Sequence, residues 1–141
     1  MNRVTLEQAN RIVMGAFQKG AELKLKPLSV AVLDPGGHLI AFQRQDGAST
    51  MRFQIASGKA SGALALGVSS RKIGEMAAER ASFVASLGPI APHGVIPAAG
   101  GVIVVGDGGI LGAVGVTGDS SDNDEISALA GIAAAGLKAQ G

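Results

Sequence analysis

The chain of 141 residues has no cysteine, no tryptophan, no tyrosine and only four phenylalanines. The absence of cysteine excludes disulfides, thiolate metal ligands and thiol nucleophiles, and it is consistent with a cytoplasmic location, which we predict. The scarcity of aromatic rings removes the stacking platform that binds single-stranded nucleic acid. Because the net charge is only +1, the chain also lacks a basic surface, and we expect no nucleic-acid partner.

Long apolar runs are missing as well. No stretch approaches the roughly 20 apolar residues that cross a bilayer, and Met1–Val4 lacks the apolar region of a signal peptide. We therefore expect no membrane partner. What the sequence does have is 47% hydrophobic residues and 22 glycines. These predict a single domain over residues 1–141, with an aliphatic core and several tight turns.

The first half of the chain predicts a helix, a β-hairpin and a second helix. Thr5-x-x-Gln8 is a capping box that starts the first helix. Ser29–Leu33 and Leu39–Arg44 predict two strands, which must pair antiparallel because the turn between them is short. Residues 51–66 predict a helix rich in small residues, although each interior glycine costs about 1 kcal/mol relative to alanine. Close packing against another backbone would offset that cost. A second subunit could supply this backbone, so we predict a homo-oligomer.

The second half predicts a short helix, a loop and a second hairpin. A serine at Ser69 or Ser70 caps the short helix, and three X-Pro pairs predict a loop over residues 84–100. Val102–Val105 and Ile110–Val116 flank a Gly-Asp-Gly-Gly turn, which is typical of a β-hairpin.

A final helix is predicted from Asp122 to about Lys138, and Asp122-x-x-Glu125 resembles a second capping box. Its inward residues are predicted to be Ile126, Leu129, Ala130, Ala133 and Leu137. The order of elements is then α-β-β-α-α-β-β-α, with strands that are apolar on both faces and need cover on two sides. We predict an α+β fold, a three-layer α/β/α sandwich around a mainly antiparallel sheet of four to five strands.

Several segments, in this order and spacing, resemble the signatures of the GlcG/HbpS-like family. They are Val32–Leu39 (VLDPGGHL), Phe42–Gly47 (FQRQDG), Ala56–Ala60 (ASGKA), Gly100–Gly101, Gly112–Gly118 (GAVGVTG) and Asp124–Glu125. The resemblance implies a profilin-like α/β/α domain that assembles into homo-oligomers. The family includes haem-binding and haem-degrading proteins, the carboxy-terminal domain of a corrinoid adenosyltransferase, and proteins linked to glycolate use.

The chain departs from the family pattern at two points. Ile103 stands where members often carry proline, and the first helix has no histidine, which some haem-binding relatives use as an iron ligand. The only imidazoles are His38 and His93. Haem iron takes His, Cys, Met or Tyr ligands, so these two are the candidates that matter if haem is the cofactor. His93, in the predicted loop, is a candidate site residue, whereas His38 reads as a solvated hairpin residue.

Three charged residues are candidates for a ligand site. Arg44 and Asp46 end a strand, where they form either a structural ion pair or part of an anion site. Lys59 lies in the small-residue helix, and a partly buried lysine usually has a partner. Arg44 and Lys59 could together meet a carboxylate or a haem propionate. Gly100, Gly101 and Gly118 could let backbone amides approach the same ligand, although turn geometry explains them equally well.

Four acids, beginning at Asp119, follow the last strand. They fit a helix N-terminus, where carboxylates complement the helix dipole. Alternatively Asp122, Asp124 and Glu125 form a site for a hard metal ion, although their spacing has no EF-hand pattern. We predict that this acidic turn, Lys59 and the glycine-rich strand end meet around one cavity.

Two functions remain open. One is a small-ligand-binding protein that holds haem or a similar apolar ring. The other is a cofactor-free enzyme or accessory protein that acts on a small hydroxy acid of the glycolate type. No nucleophile–base motif, zinc motif or phosphate loop is present, so the sequence does not decide whether the protein is an enzyme.

Overall fold

One antiparallel sheet organises the chain in the computed structural model, which describes residues 2–141. Its strands are β1 Ser29–Leu33, β2 Leu39–Arg44, β3 Gly101–Gly106, β4 Gly109–Thr117 and β5 Lys138–Ala139. They lie in the order β2-β1-β4-β3-β5, and each neighbouring pair is antiparallel. The two predicted hairpins are confirmed as β1–β2 and β3–β4.

Helices cover both faces of the sheet, so the predicted three-layer α+β fold is confirmed. They are α1 Leu6–Glu22, α2 Arg52–Leu66, α3 Ser70–Glu79, α4 Ala81–Leu87 and α5 Ser121–Ala134, with a 3-10 helix at Gly88–Ile90. The first and last helices pack side by side on one face, and α2 lies across the other with α3 beside it. The capping box at Thr5 and the cap at Ser69 form as predicted.

The two faces of the sheet differ in side-chain size. On the α1–α5 face, strand valines and the helices form the main core, through Val30, Val32, Val102, Val104, Val114 and Val116. On the other face, a Cβ added at Gly101 or Gly115 would overlap a carbonyl oxygen of α2, that of Lys59 or Ala56. The glycines within α2, Gly58 and Gly62, pack against Ile96 and Val95 of the segment before β3. The packing that offsets their cost therefore comes from this chain itself, and not from a second subunit.

Two predicted boundaries are wrong. The loop predicted over residues 84–100 begins later, because α4 and the 3-10 helix continue to Ile90; the first proline of the segment comes only at Pro89 and leaves the helix before it intact. The final helix ends at Ala134 and not at Lys138. Gly136, with φ +72°, takes the left-handed conformation that ends helices, and the chain then pairs with β3.

The start and the inner face of α5 also differ from the prediction. Its N-cap is Ser120, whose hydroxyl accepts the Asn123 N–H at 3.2 Å, so Asp122 lies inside the first turn. Ile126 and Leu129, predicted to face inward, are each 41% exposed. The small residues face α1 instead, because a side chain at Gly131 would overlap the carbonyl oxygen of Ile12.

Across residues 2–141, no helix is both long enough and apolar enough to cross a membrane. This finding does not test the cytoplasmic location, which stays a prediction.

Candidate functional site

Lys59 and Asp124 meet in the interior, at the end of the sheet. Lys59 reaches from α2 past the strand ends, and its Nζ donates to Asp124 Oδ2 at 3.1 Å and to the carbonyl oxygen of Val116 at 2.9 Å. Their side chains are only 3% and 2% exposed. The second carboxylate oxygen accepts the Asp119 N–H at 2.9 Å. The pair thus joins the two helical layers at the carboxyl-terminal end of the central strand β4.

Burial perturbs both groups of this pair. It lowers the pKa of Lys59 and raises the pKa of Asp124, because each charged form loses its water. The attraction between the two charges opposes both shifts. A pair of this kind tolerates its desolvation only while both partners are present.

All three predicted glycines are closely packed, and two of them, Gly100 and Gly101, lie against Lys59. A Cβ at Gly100, where φ is +128°, would lie 2.9 Å from Lys59 Nζ, and Gly118 packs against the carbonyl oxygen of Pro27. The N–H of Gly101 donates to Ser70 Oγ at 2.7 Å. The glycine-rich strand end, the acidic turn and Lys59 therefore do come together. They meet in a packed interior, so these residues serve close packing at this point.

The other acids of the turn bind basic partners or backbone amides. Arg71 of α3 donates from Nε to both oxygens of Glu125, at 3.0 and 3.1 Å, and from Nη2 to Asp122. These hydrogen bonds raise the pKa of Arg71, and the bond to Asp122 has the largest effect. In the described part of the chain, no group of three or more His, Cys or acidic side chains is placed to hold a metal ion. The metal site at Asp122, Asp124 and Glu125 stays a prediction that this arrangement does not favour.

Arg44 and Asp46 lie elsewhere, in an open groove of about 530 Å³ between the end of β2 and α1. We call this the arginine groove; Phe17, Leu25 and Pro27 form its apolar side. No salt bridge to either charged residue is found among residues 2–141, so the structural ion pair considered for them does not form. Within that range, the groove presents a guanidinium and a carboxylate without ionic partners.

His38 and His93 line one cavity of about 400 Å³ on the α2 side of the sheet. We call this the histidine cavity. Its apolar walls are Leu33, Leu39 and Phe53. His38 follows the β1–β2 turn, where its Nδ1 lies 3.3 Å from Asp34 Oδ2. The two imidazoles come from distant parts of the chain and converge only through the fold.

His93 also borders a second cavity of about 150 Å³, so the two hollows adjoin at this residue and at Gly37. The segment that carries His93 lies directly on α2. A Cβ at Gly58 would lie 2.7 Å from Ile96 Cγ1, and one at Gly62 would lie 3.1 Å from Val95 Cα. The helix glycines thus bring His93 against the cavity.

Sequence reasoning missed Phe53 and Ser57 of α2 as cavity residues. They are four residues apart, so they share a helix face, and Phe53 is 39% exposed and stacks edge to face on Phe42 at 4.9 Å. The available signal in the sequence was their spacing, which places an aromatic ring and a hydroxyl on one face of the helix. The position of His93 opposite them depends on tertiary structure and had no local signal.

Known proteins share the sequence pattern of this chain. A family model described as "Haem degrading protein HbpS-like" matches residues 4–133. Protein GlcG of Escherichia coli K12 is 36% identical over 113 residues, which are 79% of this chain and 79% of GlcG.

Solved structures share the fold. A double mutant of HbpS from Streptomyces reticuli is 30% identical with a TM-score of 0.80, covering 93% of this chain and 86% of that one. A PduOC–haem complex reaches a TM-score of 0.86 at 20% identity, covering 99% of both chains, and at that identity it supports the fold alone. Because the family match spans most of the sequence, the chain belongs to the HbpS-like family.

Proposed function

We propose that this protein binds a small ligand in the histidine cavity and that the ligand is haem. The observation that carries the proposal is the convergence of the chain's only two histidines on one largely apolar cavity. A volume of about 400 Å³ falls within the roughly 300–1,000 Å³ of typical small-molecule sites.

The residues present fit a haem group in their chemistry. Imidazole is an iron ligand, and aliphatic and aromatic walls suit the porphyrin ring. Asp34 next to His38 holds that imidazole, as carboxylates do for metal-bound histidines. His93 and His38 are therefore the residues that would hold the iron. When bound, haem supplies a redox-active iron whose properties the surrounding protein sets.

Family membership supports the same ligand class. The matching family is described by haem degradation, and HbpS of Streptomyces reticuli is a member with a similar fold at 30% identity. The axial ligand in the first helix of some relatives has no counterpart here. The histidine cavity offers this chain a different pair of ligands.

A haemin titration followed by visible absorption tests the proposal. The wild-type protein shifts the Soret band, and His93→Ala loses most of the shift and at least about tenfold in affinity because an iron ligand is gone. His38→Ala shows a smaller loss, since its imidazole is largely exposed. Arg44→Ala, in the arginine groove, is the matched control and leaves binding unchanged. A wild-type spectrum identical to free haemin, or a loss confined to Arg44→Ala, contradicts the proposal.

A second candidate function uses the arginine groove. Within the described residues, Arg44 has no salt-bridge partner, and a guanidinium binds carboxylates through two parallel hydrogen bonds. The groove suits a small hydroxy acid, the alternative that the sequence left open. Lys59 does not suit it, because its ammonium is buried and paired with Asp124. A hydroxy-acid ligand of this groove raises the melting temperature of the wild type and not of Arg44→Ala; a screen of such acids without any shift removes the candidate.

We also propose that the protein is a homo-oligomer. The small residues of α2 no longer support this, since they pack within the chain. The support comes instead from α5, where Ile126 and Leu129 lie 41% exposed on one face with the exposed Ala133 one turn further on. Light scattering measures the mass, and a monomer contradicts the proposal.

A further inference from the structure

Among residues 2–141, three buried serine hydroxyls have no hydrogen-bond partner: those of Ser29, Ser57 and Ser127. A buried hydroxyl without a partner is unfavourable, and most buried polar groups in proteins are paired. Such exceptions therefore call for a physical reason, and a ligand is one of them.

Ser57 differs from the other two by its position. Ser29 and Ser127 are fully buried in the packed interior, whereas Ser57 lines the histidine cavity. A serine hydroxyl changes direction by rotation about one bond, χ1. Because the buried Ser57 hydroxyl has no hydrogen-bond partner, a rotation that points it towards a bound molecule breaks no hydrogen bond.

The surroundings of Ser57 indicate the chemistry of that molecule. Gln54 lies three residues earlier on α2 and lines the same cavity, so the two side chains form a polar edge. Leu33, Leu39 and Phe53 make the rest of the wall apolar. A serine hydroxyl and a glutamine amide both donate hydrogen bonds, which suits an acceptor such as a carboxylate.

We propose that Ser57 is a specificity-determining residue of the histidine cavity, where its hydroxyl donates to a carboxylate on an otherwise apolar, flat ligand. This inference rests on the proposed function, in which that carboxylate is a propionate of haem. It assigns to α2 the recognition of the acid group, in addition to the iron ligands supplied by the two histidines. The cavity thereby selects an acidic ring over an apolar ring of the same shape.

The variant Ser57→Ala tests this proposal through two measurements, the affinity for haemin and the urea midpoint of the ligand-free protein. Haemin affinity falls by roughly tenfold, the effect of losing one hydrogen bond to a charged group. The urea midpoint of the empty protein stays equal or rises, because the hydroxyl makes no hydrogen bond there to lose. A lower midpoint shows that the hydroxyl is bonded within the protein, and it overturns the proposal.

Two further variants separate the hydroxyl from its surroundings. Ser127→Ala removes another unpaired buried hydroxyl away from the cavity, and it leaves haemin affinity unchanged. Ser57→Thr keeps a hydroxyl and retains most of the affinity that Ser57→Ala loses. Equal losses in Ser57→Thr and Ser57→Ala, or in Ser127→Ala and Ser57→Ala, overturn the assignment.

The two proposals fail in distinguishable ways. If wild-type protein does not bind haemin, the proposed function fails and the role of Ser57 fails with it. If the wild type binds haemin and Ser57→Ala binds it equally well, the function stands and only the role of Ser57 is refuted.

Discussion

For Lys59, the sequence predicts that the side chain needs a partner, but it does not identify that partner. A lysine among alanines, serines and glycines indicated a buried charge that needs a partner. The partner, Asp124, belongs to the acidic turn that the sequence predicts to lie near Lys59, although Asp124 itself reads there as a helix-capping or metal-binding residue. Which acid of the turn pairs with the lysine depends on the fold, because the two residues are far apart in the chain.

Removing one member of this pair should strongly destabilise the protein. Lys59→Met leaves Asp124 buried without a counter-charge, and we expect a loss of about 3–5 kcal/mol in the free energy of unfolding. Lys59→Met with Asp124→Leu removes both charges and recovers most of the loss. Urea denaturation monitored by circular dichroism measures both variants. A double variant no more stable than the single one would refute this explanation.

An exposed ion pair provides the matched control. Glu7 and Arg11 are 75% and 60% exposed and lie one turn apart on α1. Glu7→Ala should change stability by less than about 1 kcal/mol, because exposed pairs are screened by water.

Asp119 predicts a specific dependence of stability on pH. Hydrogen bonds from the side chain of Asn123 first, then from the backbone of Lys26 and Ser120, lower its pKa from 3.8 to about 2. The unfolded chain therefore binds more protons between these values, so the stabilisation is present above pH 3.8 and is lost as the pH falls towards 2. Asp119→Asn should be less stable than the wild type at neutral pH, and the difference should shrink through this window.

Denaturation midpoints across the acid range measure this effect. Asp107→Asn, in the exposed turn between β3 and β4, is the control and should match the wild type throughout. A gap between Asp119→Asn and the wild type that stays constant as the pH falls would contradict the assignment.

Helices and strands with strong local signals were predictable, and those without were not. Capping residues and hydrophobic spacing located α1, α2 and α3, and turn residues located both hairpins. The exceptions have physical causes. Val84 is the only buried residue of α4, and β5 is a two-residue strand whose pairing with β3 leaves little pattern. In α5, the inward face combines small residues with Ile132, while Ile126 and Leu129 face outward, so hydrophobic spacing alone misplaced the face.

The contact between α2 and the sheet makes a sharp prediction at Gly115. A Cβ there would overlap the carbonyl oxygen of Ala56 and lie 3.1 Å from the N of Ala60, so backbone must move. Gly115→Ala should lose about 3 kcal/mol or more, or fail to fold. Gly108→Ala, where nothing lies within 4 Å, should stay within about 0.5 kcal/mol of the wild type. Thermal unfolding compares them, and similar melting temperatures would contradict the packing argument.

The fold as a whole was predictable further than the site was. The order of helices and strands, together with strands that are apolar on both faces, predicted the three-layer sandwich, because few arrangements of layers bury both faces of a sheet. The site residues named from sequence separate into the interior pair, the arginine groove and the histidine cavity. This separation could not be foreseen, since each location combines segments that are distant in the chain.

The proposed homo-oligomer depends on the outer face of α5. Leu129→Glu puts a charge on its exposed apolar face and should shift the mass measured by light scattering towards the monomer. Ala85→Glu, at an exposed position of α4 in the opposite layer, adds the same charge and should leave the mass unchanged. An equal response of the two variants would exclude α5 as the subunit contact.

The buried ion pair between Lys59 and Asp124 has a consequence for how the chain folds. The ammonium and the carboxylate belong to opposite layers, so neither can be neutralised until both layers have docked on a finished sheet. A partly folded intermediate that buries only one of them has an unpaired charge in an apolar interior. Such intermediates are therefore penalised, and the molecule favours all-or-none folding over the accumulation of partly built species.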